Sequence, residues 1–245
     1  QKVMEKATSD LKSQEQGFRH LNQPMPPTRS EVEEAIAEDF DDATACDYCC
    51  RYKRLGLSRS SRILMSWLVG EGVSGKRIMD LGCGTGAFAI ETLKNGASSC
   101  VGIDLSPAMI RTAGVLAAER GYQDRAKFEL GNAALADLPV SDVVVMDKVI
   151  CCYPEAGPLL KNASSASGSL IGFVVPRDEG VLKWPLRLAA HAGNLIQKIR
   201  RKKLNWFYIH SLKTINELLV EAGFVKERKA GSRIWLVFLY KRARI

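Results

Sequence analysis

Long apolar runs are missing from this chain. No stretch reaches the roughly 18 residues that a bilayer-spanning helix needs. The first twenty residues are polar and charged, unlike a secretory signal. The chain opens on Gln1 and not Met, so the native start is expected to lie upstream. Histidine is scarce, with three residues (His20, His191, His210) far apart in sequence. Cys46, Cys49 and Cys50 form a C-x-x-C-C group. A tetrahedral metal site needs four ligands, and no second cluster with ligand spacing follows, so no metal is expected and the three thiols should fill one face of a short helix. The seven cysteines are odd in number and scattered, which argues against a disulfide framework and for reduced thiols in a cytoplasmic setting. Internal repeats are also lacking.

The 245 residues leave room for one large α/β domain or two small ones. Hydrophobic content of 46% and charged content of 25% are those of a chain that buries a core. The net charge of +8, with a pI of about 9.2, permits nucleic acid, anionic lipid or acidic small molecules as partners without choosing among them.

Residues 1–30 are rich in Lys, Gln, Ser and Glu and interrupted by Pro24, Pro26 and Pro27, which predicts weak order. Ser30 before Glu31, Glu33 and Glu34 reads as an N-cap with an acidic first turn, for a helix to about Ala45. Leu57, Ile63, Leu64, Trp67 and Leu68 mark a second amphipathic helix that Gly70 and Gly72 end. Strand and helix then alternate. Strands are predicted at 76–81, 99–104, 126–130, 142–146 and 169–175, with helices at 86–95, from Pro107 to near Gly121, and at 155–166. Such alternation implies a parallel sheet covered on both faces. A helix at 211–222 precedes two strands, 224–229 and 233–240, whose short connection containing Gly231 forces antiparallel pairing.

The most informative run is Arg77-Ile78-Met79-Asp80-Leu81-Gly82-Cys83-Gly84-Thr85-Gly86. It reads as a buried strand ending in a carboxylate, then a glycine-dense turn, then a helix whose free N–H groups face whatever lies above. The spacing is G-x-G-x-G, not the G-x-G-x-x-G of dinucleotide-binding folds. Asp80 would repel a pyrophosphate but can hold an ammonium group. Together these residues resemble motif I of class I S-adenosyl-L-methionine (SAM) dependent methyltransferases, over about residues 57–240. The resemblance implies a Rossmann-like α/β fold: a seven-stranded, mostly parallel sheet with a C-terminal antiparallel hairpin and helices on both faces. It divides the chain into an N-terminal extension with cap helices (1–56) and a methyltransferase domain (57–245) with a basic helical lid at about 180–210.

The same resemblance places the cofactor. Asp80, Gly82, Cys83, Gly84 and Gly86 would line it. Asp104, about twenty residues past the glycines, would accept ribose hydroxyls, as the acid of NAD enzymes also does. Leu105 and Met109 would pack on the adenine. Gly131-Asn132-Ala133 stands where family members often carry Gly-Asp-Ala, with Asn132 still able to accept from the adenine amino group. Asp147 ends the fourth strand, where open α/β sheets bind ligands.

The acceptor side departs from some relatives. Asp147-Lys148-Val149-Ile150 is not the (Asp/Asn)-Pro-Pro-Tyr signature of enzymes that methylate planar base nitrogens. Tyr153-Pro154 and the later Tyr208-Ile209-His210 resemble the layout of magnesium-protoporphyrin carboxyl O-methyltransferases. His210 and Tyr153 are the candidate general bases, needed only for an acceptor that keeps its proton at neutral pH. A carboxylate acceptor would need only cations to orient it. Lys183, Arg187, Lys198, Arg200, Arg201, Lys202 and Lys203 supply them without an acid among them, interleaved with Leu182, Trp184, Leu186, Leu188, Ala192, Leu195, Ile196 and Ile199. That segment could cap the acceptor pocket, lie on an anionic membrane or touch RNA. The expected activity is methyl transfer to a small, hydrophobic or acidic molecule. The alternatives are a tetrapyrrole carboxyl O-methyltransferase, an RNA methyltransferase and a non-catalytic SAM-binding scaffold, with an NAD-linked dehydrogenase disfavoured by Asp80 and the terminal hairpin.

Overall fold

The computed structural model describes residues 29–200 and 207–243. Of the stretch expected to be weakly ordered, residues 1–30, only Arg29 and Ser30 are described, and they are helical; residues 1–28, and Arg201, Lys202 and Lys203 of the basic segment, lie outside the described residues. The chain divides into two compact units, residues 1–32 and 33–245. The second unit is described below, together with residues 29–32 of the first.

Seven strands form one sheet: β1 (Arg77–Leu81), β2 (Ser99–Asp104), β3 (Ala126–Leu130), β4 (Ser141–Asp147), β5 (Ser167–Pro176), β6 (Phe224–Gly231) and β7 (Trp235–Arg242). Their order is β3-β2-β1-β4-β5-β7-β6. The first five pair in parallel, whereas β7 runs antiparallel to both β5 and β6. This is the expected Rossmann-like sheet with its terminal hairpin. The hairpin reverses direction because only a few residues join β6 to β7, too short for a parallel crossover.

The alternation of side chains along each strand fills two cores. Val143 and Val145 of β4 point to one face with Ile78 of β1, and Val144 and Met146 to the other with Met79 and Leu81. A continuous apolar run such as this valine stretch is what a strand buried on both faces requires. Helices α3 (Arg59–Gly70) and α4 (Ala87–Lys94) contribute Leu64, Leu68, Phe88 and Leu93 to the first face. Helices α6 (Ala156–Ala166) and α8 (Leu212–Glu221) contribute Leu159, Leu160, Ile215 and Leu219 to the second. Helix α5 (Pro107–Glu119) follows β2, capped by Ser106, whose hydroxyl accepts from the Met109 amide at 3.1 Å.

The N-terminal region departs from expectation. The single helix predicted to about Ala45 is two helices, α1 (Arg29–Asp39) and α2 (Asp42–Leu55). Asp41 explains the break. Its backbone is extended and its carboxylate accepts from the Thr44 amide at 3.0 Å, so it caps a new helix in place of continuing the old one. Ser30 lies inside α1, one residue past its start. The cysteine group sits on one side of α2, but only Cys49 is buried, because the inward stripe of that helix runs through Ala45, Cys49 and Tyr52 and leaves Cys46 and Cys50 beside it, exposed. Leu57 belongs to the connection, since Ser58 caps α3. Helix α7 (Lys183–Arg200) carries the basic segment. Among the described residues, no helix is long and apolar enough to cross a membrane.

Candidate active site

The C-terminal ends of β1, β2 and β4 bring three carboxylates together. Asp80 is 1% exposed, and its Oδ2 has no hydrogen-bond partner. Burial pushes its carboxyl well above the usual carboxylate range. The charges of Asp147 and Asp104 push the same way, against one hydrogen bond from the Ala89 backbone. A buried acceptor atom left unpaired costs stability, so the Asp80 oxygen awaits a donor that the fold itself does not supply.

The glycine turn is tied to Asp104 and to β2. Gly82 and Cys83 donate to the Ile103 carbonyl at 2.8 and 3.1 Å. Gly84 N–H donates to Asp104 Oδ2 at 2.8 Å, and Ser106 N–H to Oδ1 at 2.9 Å. The Leu105 amide also hydrogen-bonds this carboxylate, which still has acceptor capacity left for a ligand hydroxyl. Burial raises the Asp104 carboxyl, while these amides oppose the shift. Two glycines have different duties. A Cβ on Gly82 (φ +67) would stand 2.2 Å from Val149 Cγ2, so the loop is packed beneath it. At Gly84 (φ +53) nothing lies within 4 Å, which leaves open backbone above the carboxylates. Both conformations favour glycine.

The other expected residues divide. Cys83 turns its thiol inward against Gly102, and burial raises the thiol well above its ordinary value, so only its backbone faces the turn. Met109 is buried with Ala45, Ala108 and Phe40, and Leu105 lines the edge of the second core. Ala133 is buried beside Asn132. Asn132 is held from both ends: its Oδ1 accepts from Ala134 N–H at 2.8 Å and Tyr153 Oη at 3.1 Å, and its amide donates to Glu33.

His210 Nε2 lies 3.1 Å from the Ile150 carbonyl and 2.9 Å from that of Tyr153. Facing two acceptors, Nε2 must carry the proton, which leaves Nδ1 as the basic nitrogen. Burial pulls the imidazole below its usual value, against the two backbone carbonyls, which act to raise it. Asn132, Tyr153 and His210 thus form one connected edge of the site.

Sequence reasoning missed a group around Lys148. Its ammonium donates to Ser58 Oγ (2.9 Å) and Ser61 Oγ (3.0 Å) and stands 3.3 Å from Asp147 Oδ1. The Ser61 hydroxyl in turn donates to Asp147 Oδ2 at 2.5 Å. Lys148 also lies over the Trp235 ring at 5.6 Å. It is the one described non-glycine residue with positive φ (+65), a strain that persists only where surroundings enforce it. The spacing Ser58-x-x-Ser61 could have been read as a helix cap, but no sequence signal marks a left-handed lysine.

The donor set fits SAM. An unpartnered buried carboxylate suits its ammonium, open backbone at Gly84 suits close approach, and Asp104 suits a ribose. The methyltransferase-domain family model matches residues 73–210. The chain belongs to that family. This methyltransferase domain is of the class I type, built for SAM. The ribosomal protein L11 methyltransferase of Pectobacterium carotovorum is 34% identical over 128 residues, 51% of this chain and 43% of that protein. The chain spans less than half the length of the curated relatives it matches. Among solved structures, the magnesium protoporphyrin IX methyltransferase of Synechocystis with bound SAM shares the fold, with a TM-score of 0.67 at 19% identity, over 90% of this chain and all of that one. An O-methyltransferase family protein from Burkholderia thailandensis gives a TM-score of 0.65 at 16% identity, over 85% of this chain and 64% of that one.

Proposed function

We propose that this protein transfers the methyl group of SAM to a small, hydrophobic or acidic acceptor held near the end of β4. The observation that carries the reading is the unpartnered Asp80 oxygen buried below the glycine turn. When bound, SAM supplies a methyl group on an electrophilic sulfonium, so most of the acceleration comes from positioning. Asp80 and the Gly84 backbone would hold its amino acid end. Asp104 would hold the ribose while fixing the turn. Asn132 would keep the adenine side closed, with Tyr153 behind it.

Lys148 stands beside Asp147, and for an acidic acceptor it would orient the anionic group. A carboxylate attacks without a base. For an acceptor that arrives protonated, His210 Nδ1 is the better base, because Tyr153 already uses its hydroxyl proton on Asn132.

Calorimetric titration with SAM, S-adenosylhomocysteine and NADH tests the cofactor. Binding of both adenosyl compounds and not of NADH is expected. Binding of NADH alone would overturn the reading. Turnover is then sought with small carboxylic acids, where Lys148→Ala should raise KM more than it lowers kcat.

A further inference from the structure

Helix α7 is held at its start and uncovered from Lys183 to Gly193. Arg187 grips Asp178, just past β5, with two N–H donors at 2.7 and 2.9 Å. Beyond that clamp, no residue from Val181 to Gly193 is buried. Val181, Trp184 and Leu188 are 89%, 69% and 72% exposed. Trp184 and Leu188 are four apart, on one face of the helix, and Leu195 and Ile199 continue that spacing in the sequence. Isolated exposed apolar residues need no explanation, but a row of large ones on one helix does.

Charge singles out the same segment. From Gly180 to Asn216 the chain has eight lysines and arginines and no acid, and the rest of the chain carries 27 of each sign. The whole net charge of +8 therefore belongs to this segment.

We propose that α7 docks on an anionic lipid surface, with Trp184 and Leu188 entering the interface and the flanking cations facing the headgroups. A helix with Lys and Arg beside Trp and Leu lies in the plane of such an interface. A single-stranded nucleic acid would use the cations and stack a base on Trp184 but gain nothing from exposed Val181 and Leu188, so the aliphatic residues decide between the two. The helix starts at the end of β5, the end of the sheet where the cofactor residues lie, so docking there would present the site to acceptors dissolved in the membrane.

The test is co-sedimentation of the full chain with phosphatidylcholine vesicles and with vesicles also containing phosphatidylglycerol. Binding to the anionic vesicles is expected, weakened by salt. The Trp184→Ala, Leu188→Ala double variant should bind more than about tenfold more weakly, the scale of two buried apolar side chains. Trp184 emission should shift to the blue on the vesicles and that shift should vanish in Trp184→Ala. The proposal falls if wild type ignores anionic vesicles, or if the double variant binds them as well as wild type does, leaving charge alone. It falls too if the chain retains single-stranded RNA but not vesicles, whichever variant is used. None of these outcomes depends on methyl transfer, since neither substitution touches the carboxylate site.

Discussion

The cofactor half and the acceptor half of this domain are built in different ways. At the ends of β1 and β2, backbone does most of the holding: amides of Gly82, Cys83, Gly84 and Ser106 bind the Ile103 carbonyl or Asp104 within a short stretch of chain. At the end of β4, side chains from remote segments do it. Ser58 and Ser61 come from the start of α3, Lys148 follows β4, Trp235 opens β7 and His210 precedes α8. A half made of backbone can be shared by many enzymes using one cofactor. A half made of side chains can change with the acceptor at little cost to the fold.

The contrast breaks most sharply at the two glycines. Gly82→Ala should destabilise the protein by about 3 kcal/mol or more, through overlap with Val149 and a left-handed backbone. Gly84→Ala should cost only about 1–2 kcal/mol, from the backbone alone, yet lose SAM affinity by more than about tenfold through a clash with the ligand. Thermal melts and calorimetry separate the two. A Gly84→Ala protein that binds SAM normally would show that no ligand approaches that backbone.

Asp104→Ala should weaken SAM binding by about 1–3 kcal/mol, the scale of a lost charged hydrogen-bond partner. Unchanged affinity in the titration would remove Asp104 from the site.

Asp80 sets stability against binding. Its folded carboxyl titrates above the unfolded value of about 3.9. Between those values the folded chain binds the extra proton, so its contribution to stability is present below about pH 4 and is lost as pH rises through the folded value. Asp80→Asn escapes that loss. Without ligand at pH 8 it should melt higher than wild type, while binding SAM more weakly. For the wild type, SAM affinity should fall as pH drops through the folded value, because the ammonium prefers the carboxylate. A variant that melts no higher at pH 8 would show that the Asp80 charge is not under strain.

The smallest expected effect probes the acceptor half. Lys148→Gly should be more stable than Lys148→Ala by about 1 kcal/mol, since glycine alone relieves the left-handed backbone. Equal stability would mean that the backbone there relaxes. Both variants should keep SAM affinity near that of wild type.

The two halves also differed in how far they could be read in advance. Asp80, the glycines and Asp104 were legible because strand, turn and helix follow one another in the chain, and their spacing carries the geometry. Strands β2 and β3 came out at their predicted bounds for the same reason. The break at Asp41 was not seen, because its capping signal, Asp41 to Thr44, lies inside a run that otherwise suits a helix. Asn132 and Tyr153 were marked singly, but their mutual hydrogen bond crosses from β3 to β4 and depends on how the sheet is ordered.

From the sequence alone came the parallel sheet, its terminal hairpin, the glycine turn and the acids that flank it, since each is a pattern of neighbours with a period or a spacing. Only the tertiary structure set Lys148 between Ser58, Ser61 and Asp147, turned His210 Nε2 to two carbonyls and left α7 uncovered from Lys183 to Gly193. Those features join residues tens of positions apart or depend on what fails to pack, and neither leaves a local mark on the chain.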